Sequence, residues 1–374
     1  MQLWHTVPPV RALVLVTLAA VVTATASAAP TPNALLGTRG QVLRIAADGT
    51  SVAAITTPKG ACDRIVLWNS STQAVSTWQA GVGCAGGQTS GGQGIPEIAV
   101  AGNRVAWVER ISGNSQDLAL KTGLPGAKPT MADFQTNGNG AGGEPDGGYL
   151  GNVFGQGTTL VYNTWTVCAV IPPGGQDDTA IPCKTTPQPA PAQEEHIPSA
   201  QKIWQLAPGK KLFRQGAATL AVIGIDGGRI AAQQPDTGTV TVFDATGKVV
   251  GTVSIVPGKT AGTVFKGATI ATIRNGNLET YNVTTGHLVH LYPVPEKGAV
   301  LRDVQDGIAV YVEGVRIHLV RLADGEHATI VAPGHAPVDA QLEKPGLYYS
   351  YNEITGSSKG RLAFLPAAQL KKLF

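Results

Sequence analysis

AVIGIDGGRIAAQQPDTGTVTVFDATGKVVGTVSIV, residues 221 to 256, decides how the rest of the chain is read. Short runs rich in Val, Ile, Thr and Phe are cut by Asp-Gly-Gly, by Gln-Pro-Asp-Thr-Gly and by Asp-Ala-Thr-Gly. Apolar runs bounded in this way are strands joined by tight turns, because glycine takes the positive φ that a hairpin corner needs and aspartate and proline begin turns. The stretch is one unit of four strands, and its pattern recurs in both directions.

Upstream, QVLRIAADGTSVAAIT (residues 41 to 56) has the same apolar strand, Asp-Gly turn and Ala-Ala strand. The turn glycine can be followed through Gly49, Gly102, Gly157, Gly227, Gly267, Gly307 and Gly346, each leading into a short apolar strand. The last three spacings are 40, 40 and 39 residues, a period suited to one four-stranded propeller blade. The sequence therefore predicts an all-β fold, a seven-bladed β-propeller of four-stranded antiparallel blades, as a single domain over residues 29 to 374. The seventh unit lacks a fourth strand, and Ala34 to Arg39, ahead of the first inner strand, is placed to supply it and close the ring.

The second halves of the units, VTVFDATGKVVGTV, LETYNVTTGHLVHLY and IHLVRLADGEHATIV, carry their own polar corner. This resembles the D-x-x-T-G turn of extracytoplasmic propeller repeats, the YVTN-type, quinoprotein-type and TolB-type families. The resemblance implies an exported ring. It also implies a choice between a binding module and an enzyme of the lactonase, glycan-cleaving or dehydrogenase type, with its site at the channel mouth. The tryptophan that ends quinoprotein repeats is absent, and no cofactor is expected.

An N-terminal leader agrees with export. Arg11 precedes the apolar run Ala12 to Val22, and Ala26-Ser27-Ala28 has the small-x-small form of a cleavage site, so residues 1 to 28 read as a signal peptide. The run is too short to span a bilayer. The expected location is secreted, periplasmic or cell envelope, for a chain that does not span the membrane and is monomeric. Lys and Arg are scattered, with a formal net charge of only +3, so no nucleic-acid partner is expected. In an exported chain Cys62, Cys84, Cys168 and Cys183 are disulfide candidates. Their placement suggests pairing Cys62 with Cys84 and Cys168 with Cys183.

Earlier turn spacings of 53, 55 and 70 residues require insertions, read as loops at 81–95, 124–148 and 171–199. Chain direction reverses at each turn, so from the axis outward the a–b and c–d turns share one face of a blade, and the b–c and d–a loops share the other. The insertions belong to the second face. Function concentrates in loops on a rigid scaffold, so a protein or glycan partner is expected there. Trp165, His196, His335 and Asp133 are the candidate ligand contacts. No catalytic residue or metal ligand is assigned. Gly356-Ser-Ser-Lys-Gly360 matches the nucleophile-elbow pattern but lies between two strands, and His287 and His290 are at a spacing that points to opposite faces of a strand. The inner strands that can be assigned hold few clustered acids or histidines: Glu97, Asp303, Asp339 and Glu343. Cleavage of the leader predicts a mature chain beginning at Ala29. N-terminal sequencing of exported protein checks this, and a chain still beginning at Met1 would contradict it.

Overall fold

The computed structural model describes residues 30–84, 94–111, 117–136, 146–170, 195–216, 220–234, 237–256, 260–353 and 359–374. The leader, Cys183 and most of the third insertion lie outside the described residues.

The described chain forms seven four-stranded antiparallel sheets arranged as a ring. The first strand, β1 (Ala34–Arg39), belongs to the last blade. Blade 1 runs from the axis outward through β2 (Gln41–Asp48), β3 (Ser51–Thr57), β4 (Arg64–Asn69) and β5 (Val75–Gln79). Blade 2 follows with β6 (Gly94–Ala101), β7 (Arg104–Arg110), β8 (Leu118–Gly123) and β9 (Thr130–Gln135). Blade 3 has β10 (Asp146–Gln156), β11 (Thr159–Val170), β12 (Glu195–Ala207) and β13 (Lys211–Gly216). Blade 4 has β14 (Ala221–Asp226), β15 (Arg229–Gln233), β16 (Thr239–Phe243) and β17 (Val249–Ser254). Blade 5 has β18 (Thr260–Lys266), β19 (Thr269–Arg274), β20 (Asn277–Asn282) and β21 (Leu288–Pro293). Blade 6 has β22 (Val300–Gln305), β23 (Ile308–Glu313), β24 (Arg316–Arg321) and β25 (His327–Val331). Blade 7 takes β26 (His335–Glu343), β27 (Gly346–Asn352) and β28 (Lys359–Pro366) from the end of the chain and β1 from its beginning, and a short helix, α1 (Ala367–Leu370), follows.

The second insertion is corrected by this topology. Thr130–Gln135 is the outer strand of blade 2, and the next inner strand begins at Asp146, so residues 124–148 are not a loop throughout. Met131 and Phe134 are exposed on β9, as edge-strand side chains often are, and the flanking Gly-Pro text hid the strand. Likewise Gly94 and Ile95 already belong to β6, and β12 begins at Glu195.

The turn and corner chemistry follows from the residues. All seven a–b turn glycines have positive φ, from +56° at Gly227 to +153° at Gly346. At the c–d corners a side-chain oxygen caps the turn. Asp244 Oδ1 accepts from the Thr246 and Lys248 amides at 2.8 and 3.0 Å, and Asn282 Oδ1 from Thr284 and Thr285.

The core is seven wedges, one between each pair of neighbouring blades, including a wedge between blades 7 and 1 around Val42, Trp68, Tyr348 and Leu362. Middle strands are buried on both faces, which is why SVAAIT and RVAWVE read as continuous apolar runs without alternation. Every inner strand has a register shift against its neighbour, as between Val42 and Arg44 or between Leu301 and Asp303. Such bulges bend the inner strand and turn a side chain toward the axis.

Closure rests on β1, which pairs with β28 over six positions from Ala34 opposite Phe364 to Arg39 opposite Lys359. Ala34 and Leu36 pack on the wedge between blades 7 and 1. Deleting Ala34–Arg39 is expected to cost at least about 3 kcal/mol, from the lost ladder and apolar cover. This is read as a lower urea midpoint, and an unchanged midpoint would show that the ring does not depend on β1.

Candidate functional site

The inner strands surround a central cavity of about 250 Å³. Its charged lining comes from positions at or beside the bulges and from the ends of the strands. Arg44 pairs with Glu97 at 2.8 Å, Arg302 with Asp339 at 3.3 Å and Lys266 with Glu343 at 2.6 Å. Asp303, Asp339 and Glu343 are also tied to backbone amides, Glu343 accepting from Gly49. Asp303 accepts from the amides of Val304 and Leu342 at 2.8 and 3.0 Å, and Asp339 from Ile45 and Ala340, both at 3.0 Å. Burial pushes the Glu97 and Asp303 carboxyls up. It pushes Glu343 up to about 7, Asp303 adding to the rise and Lys266 opposing it. Among the described residues no group of three or more His, Cys, Asp or Glu side chains is placed to hold a metal ion. Glu97, Asp303 and Asp339 are bound into the ring one by one and brace neighbouring strands.

On the a–b face the turns are joined to one another around the channel. Asp48 Oδ2 accepts from the turn amides of Gly102 and Gly157 at 2.6 and 2.7 Å, so one side chain of blade 1 holds the turns of blades 2 and 3. Gln156 accepts from Gly227, Asp226 from Gly267 and Glu343 from Gly49. The opposite face, where the b–c and d–a loops emerge, carries a second and larger hollow. This is a groove of about 520 Å³ between blades 7 and 1, lined by Arg39, Lys59, Arg64, Lys359, Arg361 and Glu353 with Gly37, Thr38, Pro58, Ala61 and Gly360. A smaller hollow of about 160 Å³ adjoins it along β1, sharing Gly37, Thr38, Arg39 and Arg64.

Three parts of the chain build the groove. The end of β1 brings Arg39, the β3–β4 loop brings Lys59 and the start of β4 brings Arg64, while β28 brings Lys359 and Arg361. The loop carrying Lys59 is pinned by the Cys62–Cys84 disulfide and by hydrogen bonds from Asp63 N to Val82 O at 3.0 Å and from Ala80 N to Asp63 O at 2.8 Å. A 22-residue separation makes this bridge worth about 3 kcal/mol in the loop-entropy model. The Cys168–Cys183 pairing falls outside the described residues. Arg361 is held by Glu353, with Nε donating to Oε1 at 2.7 Å. It lies across Gly37, where a Cβ would stand 2.9 Å from its guanidinium.

The four residues singled out in the sequence do not converge. Trp165 is half-buried on β11 and stacks on Tyr149, with ring centroids 5.5 Å apart and planes 7° from parallel. His335 opens β26 on the loop face and is exposed. His196 lies on β12 opposite Ala169, and its side chain is outside the described residues. Asp133 is on the outer strand of blade 2, away from the loops, and joins blades 2 and 3 by accepting from Tyr162 Oη at 2.5 Å and Lys210 Nζ at 3.0 Å. Burial alone would raise its carboxyl, but these two donors hold it below the usual range. The basic groove was missed because its residues are isolated in the sequence. The usable signal was the inferred docking of Ala34–Arg39 on the last unit, which brings Arg39 beside Lys359.

No family model matches the chain, and no curated protein matches it. Among solved structures, the computationally designed protein Ika8 has a TM-score of 0.46 at 9% identity, over 89% of this chain and 98% of its own. Sqt1 of Saccharomyces cerevisiae has 0.46 at 10%, over 90% and 98%. The β-propeller domain of Cps50 (Swd1) from Myceliophteria thermophila has 0.47 at 8%, over 90% and 99%. The blade count and strand order stand on the chain's own sheets.

The unfolded chain releases the Glu343 proton near the ordinary glutamate value of 4.5, and the folded ring only near 7. Between those values the folded state holds more protons, so stability falls as pH rises, by at most about 3 kcal/mol from this group. Glu343→Gln keeps an acceptor for Gly49 and removes that share. Urea midpoints measured from pH 5 to pH 8 should fall in the parent and fall less in the variant, and equal slopes would show that Glu343 stays charged.

Proposed function

We propose that the protein is an exported binding module that engages a partner protein through the face carrying the b–c and d–a loops. The observation that supports this most is the contrast between the two faces. One carries short turns laced to each other through Asp48, Gln156, Asp226 and Glu343. The other carries the groove of about 520 Å³ and a loop pinned by a disulfide. Rigid scaffolds with one adorned face are suited to recognition, and the acids of the channel are committed to bracing. Export is supported by the leader and is compatible with the Cys62–Cys84 bridge.

A photo-crosslinking residue placed in turn at Lys59 and His335, and at Lys248 and Glu326 on the opposite corners, tests this reading in a bacterial host. Discrete cross-linked species are expected from the first two positions only. Cross-links confined to Lys248 and Glu326, or none from any position, would overturn it.

A further inference from the structure

Resting on that reading of the loop face, we infer that the groove between blades 7 and 1 seats an extended, acidic segment of a partner polypeptide. The charge is the first reason. Arg39, Lys59, Arg64, Lys359 and Arg361 line a hollow in which Glu353, paired with Arg361, is the one carboxylate among the described lining residues. The side chains of Arg39, Lys59 and Arg64 make no ion pair or hydrogen bond among the described residues, although the chain as a whole is nearly balanced at +3. Like charges held together without partners repel, and a carboxylate-bearing ligand relieves this. Guanidinium groups present planar forks that match carboxylates in two-point contacts.

The shape and the backbone argue for a polypeptide. Four consecutive residues of β1, Leu36 to Arg39, line the adjoining hollow. β1 is the edge strand of its sheet, hydrogen-bonded on one side to β28 and on the other to no strand among the described residues. An edge of unpaired N–H and C=O groups is a template for an added extended segment. The hollow of about 160 Å³ continues the main groove along this strand toward Val75 and Thr77 of β5, which gives it the elongated form such a segment needs. No aromatic side chain among the described residues lines either hollow, so the stacking platform that a sugar ring uses is missing. In an extended ligand every second side chain points the same way, so alternate acidic residues would meet Arg39, Arg64 and Arg361 together.

The test is fluorescence anisotropy of the whole mature protein with a labelled octapeptide of alternating Glu and Thr. The matching Gln-Thr octapeptide, tetragalacturonate and inorganic phosphate serve as competitors. The Glu-Thr peptide should bind at low salt, weaken as salt rises and be displaced poorly by the other three. In the double variant Arg39→Glu, Lys59→Glu, both sites being exposed, affinity should fall about tenfold or more, while Lys248→Glu on the opposite face leaves it unchanged. Arg64→Glu gives a second, independent reading, with thermal melting to confirm that each variant is folded. No binding of the Glu-Thr peptide, equal binding in the folded double variant, or displacement by tetragalacturonate or phosphate at or below the peptide's own concentration would overturn the proposal. Cross-linking from the two faces locates the contact surface whatever the partner's chemistry, so failure here leaves the face assignment standing and the two ideas fall separately.

Discussion

Three side chains on alternate positions of one inner strand hold the ring together at its seam. Asp339, Gln341 and Glu343 accept hydrogen bonds from the amides of Ile45 and Ala47, alternate positions of the first inner strand, and of Gly49 in the turn that follows it, at 3.0, 2.6 and 3.3 Å. Farther out, Asn352 serves both main-chain groups of Val42, accepting from its amide at 2.8 Å and donating to its carbonyl at 3.2 Å. An inner strand has one edge paired within its blade, so its other edge must find acceptors elsewhere or leave buried amides unsatisfied. Side chains with a period of two meet that need, because both strands repeat every two residues. The same device links blades 6 and 7, where Asp303 accepts from Leu342. The polar residues of the inner strands are thus structural in the first instance, and the channel inherits its charge from them.

Much of this architecture was legible in the sequence, and for identifiable reasons. Turn glycines need positive φ and therefore recur at one place in each blade, so Gly49 through Gly346 marked seven corners. Ala34–Arg39 could be assigned to the last blade by counting strands. The outer strand Thr130–Gln135 was not legible, since an outer strand buries little and its text, TMADFQ, sits amid glycine and proline. Asp133 could not be read as a joint between blades either, because its partners Tyr162 and Lys210 are 29 and 77 positions away. Long-range partnership of single residues leaves no local pattern.

The groove shows the same limit from the functional side. Each of its cations looks ordinary in its own neighbourhood, and only the meeting of the chain's two ends concentrates them. Loop insertions pointed to the face that carries the groove but to another sector, blades 1 to 3, and among the described residues of that sector the loop of blade 1 with its disulfide contributes to the groove. Unequal loop length is visible in a sequence, whereas charge gathered by closure is not.

The pairing of β1 with β28 also sets an order of events. Asn33 and Gln369, joined by a hydrogen bond at 2.8 Å, are 336 positions apart, so the strand that is made first waits for nearly the whole chain before it has a neighbour. Contacts of such separation form slowly and late, and until then both strands offer open edges to other molecules. The cationic groove comes into being in that same final step, since Arg39 arrives with β1 and Arg361 with β28. A chain cut short before its last strand lacks both the partner of β1 and the Lys359 and Arg361 side of the groove. The groove therefore takes shape only once the two ends of the ring have met.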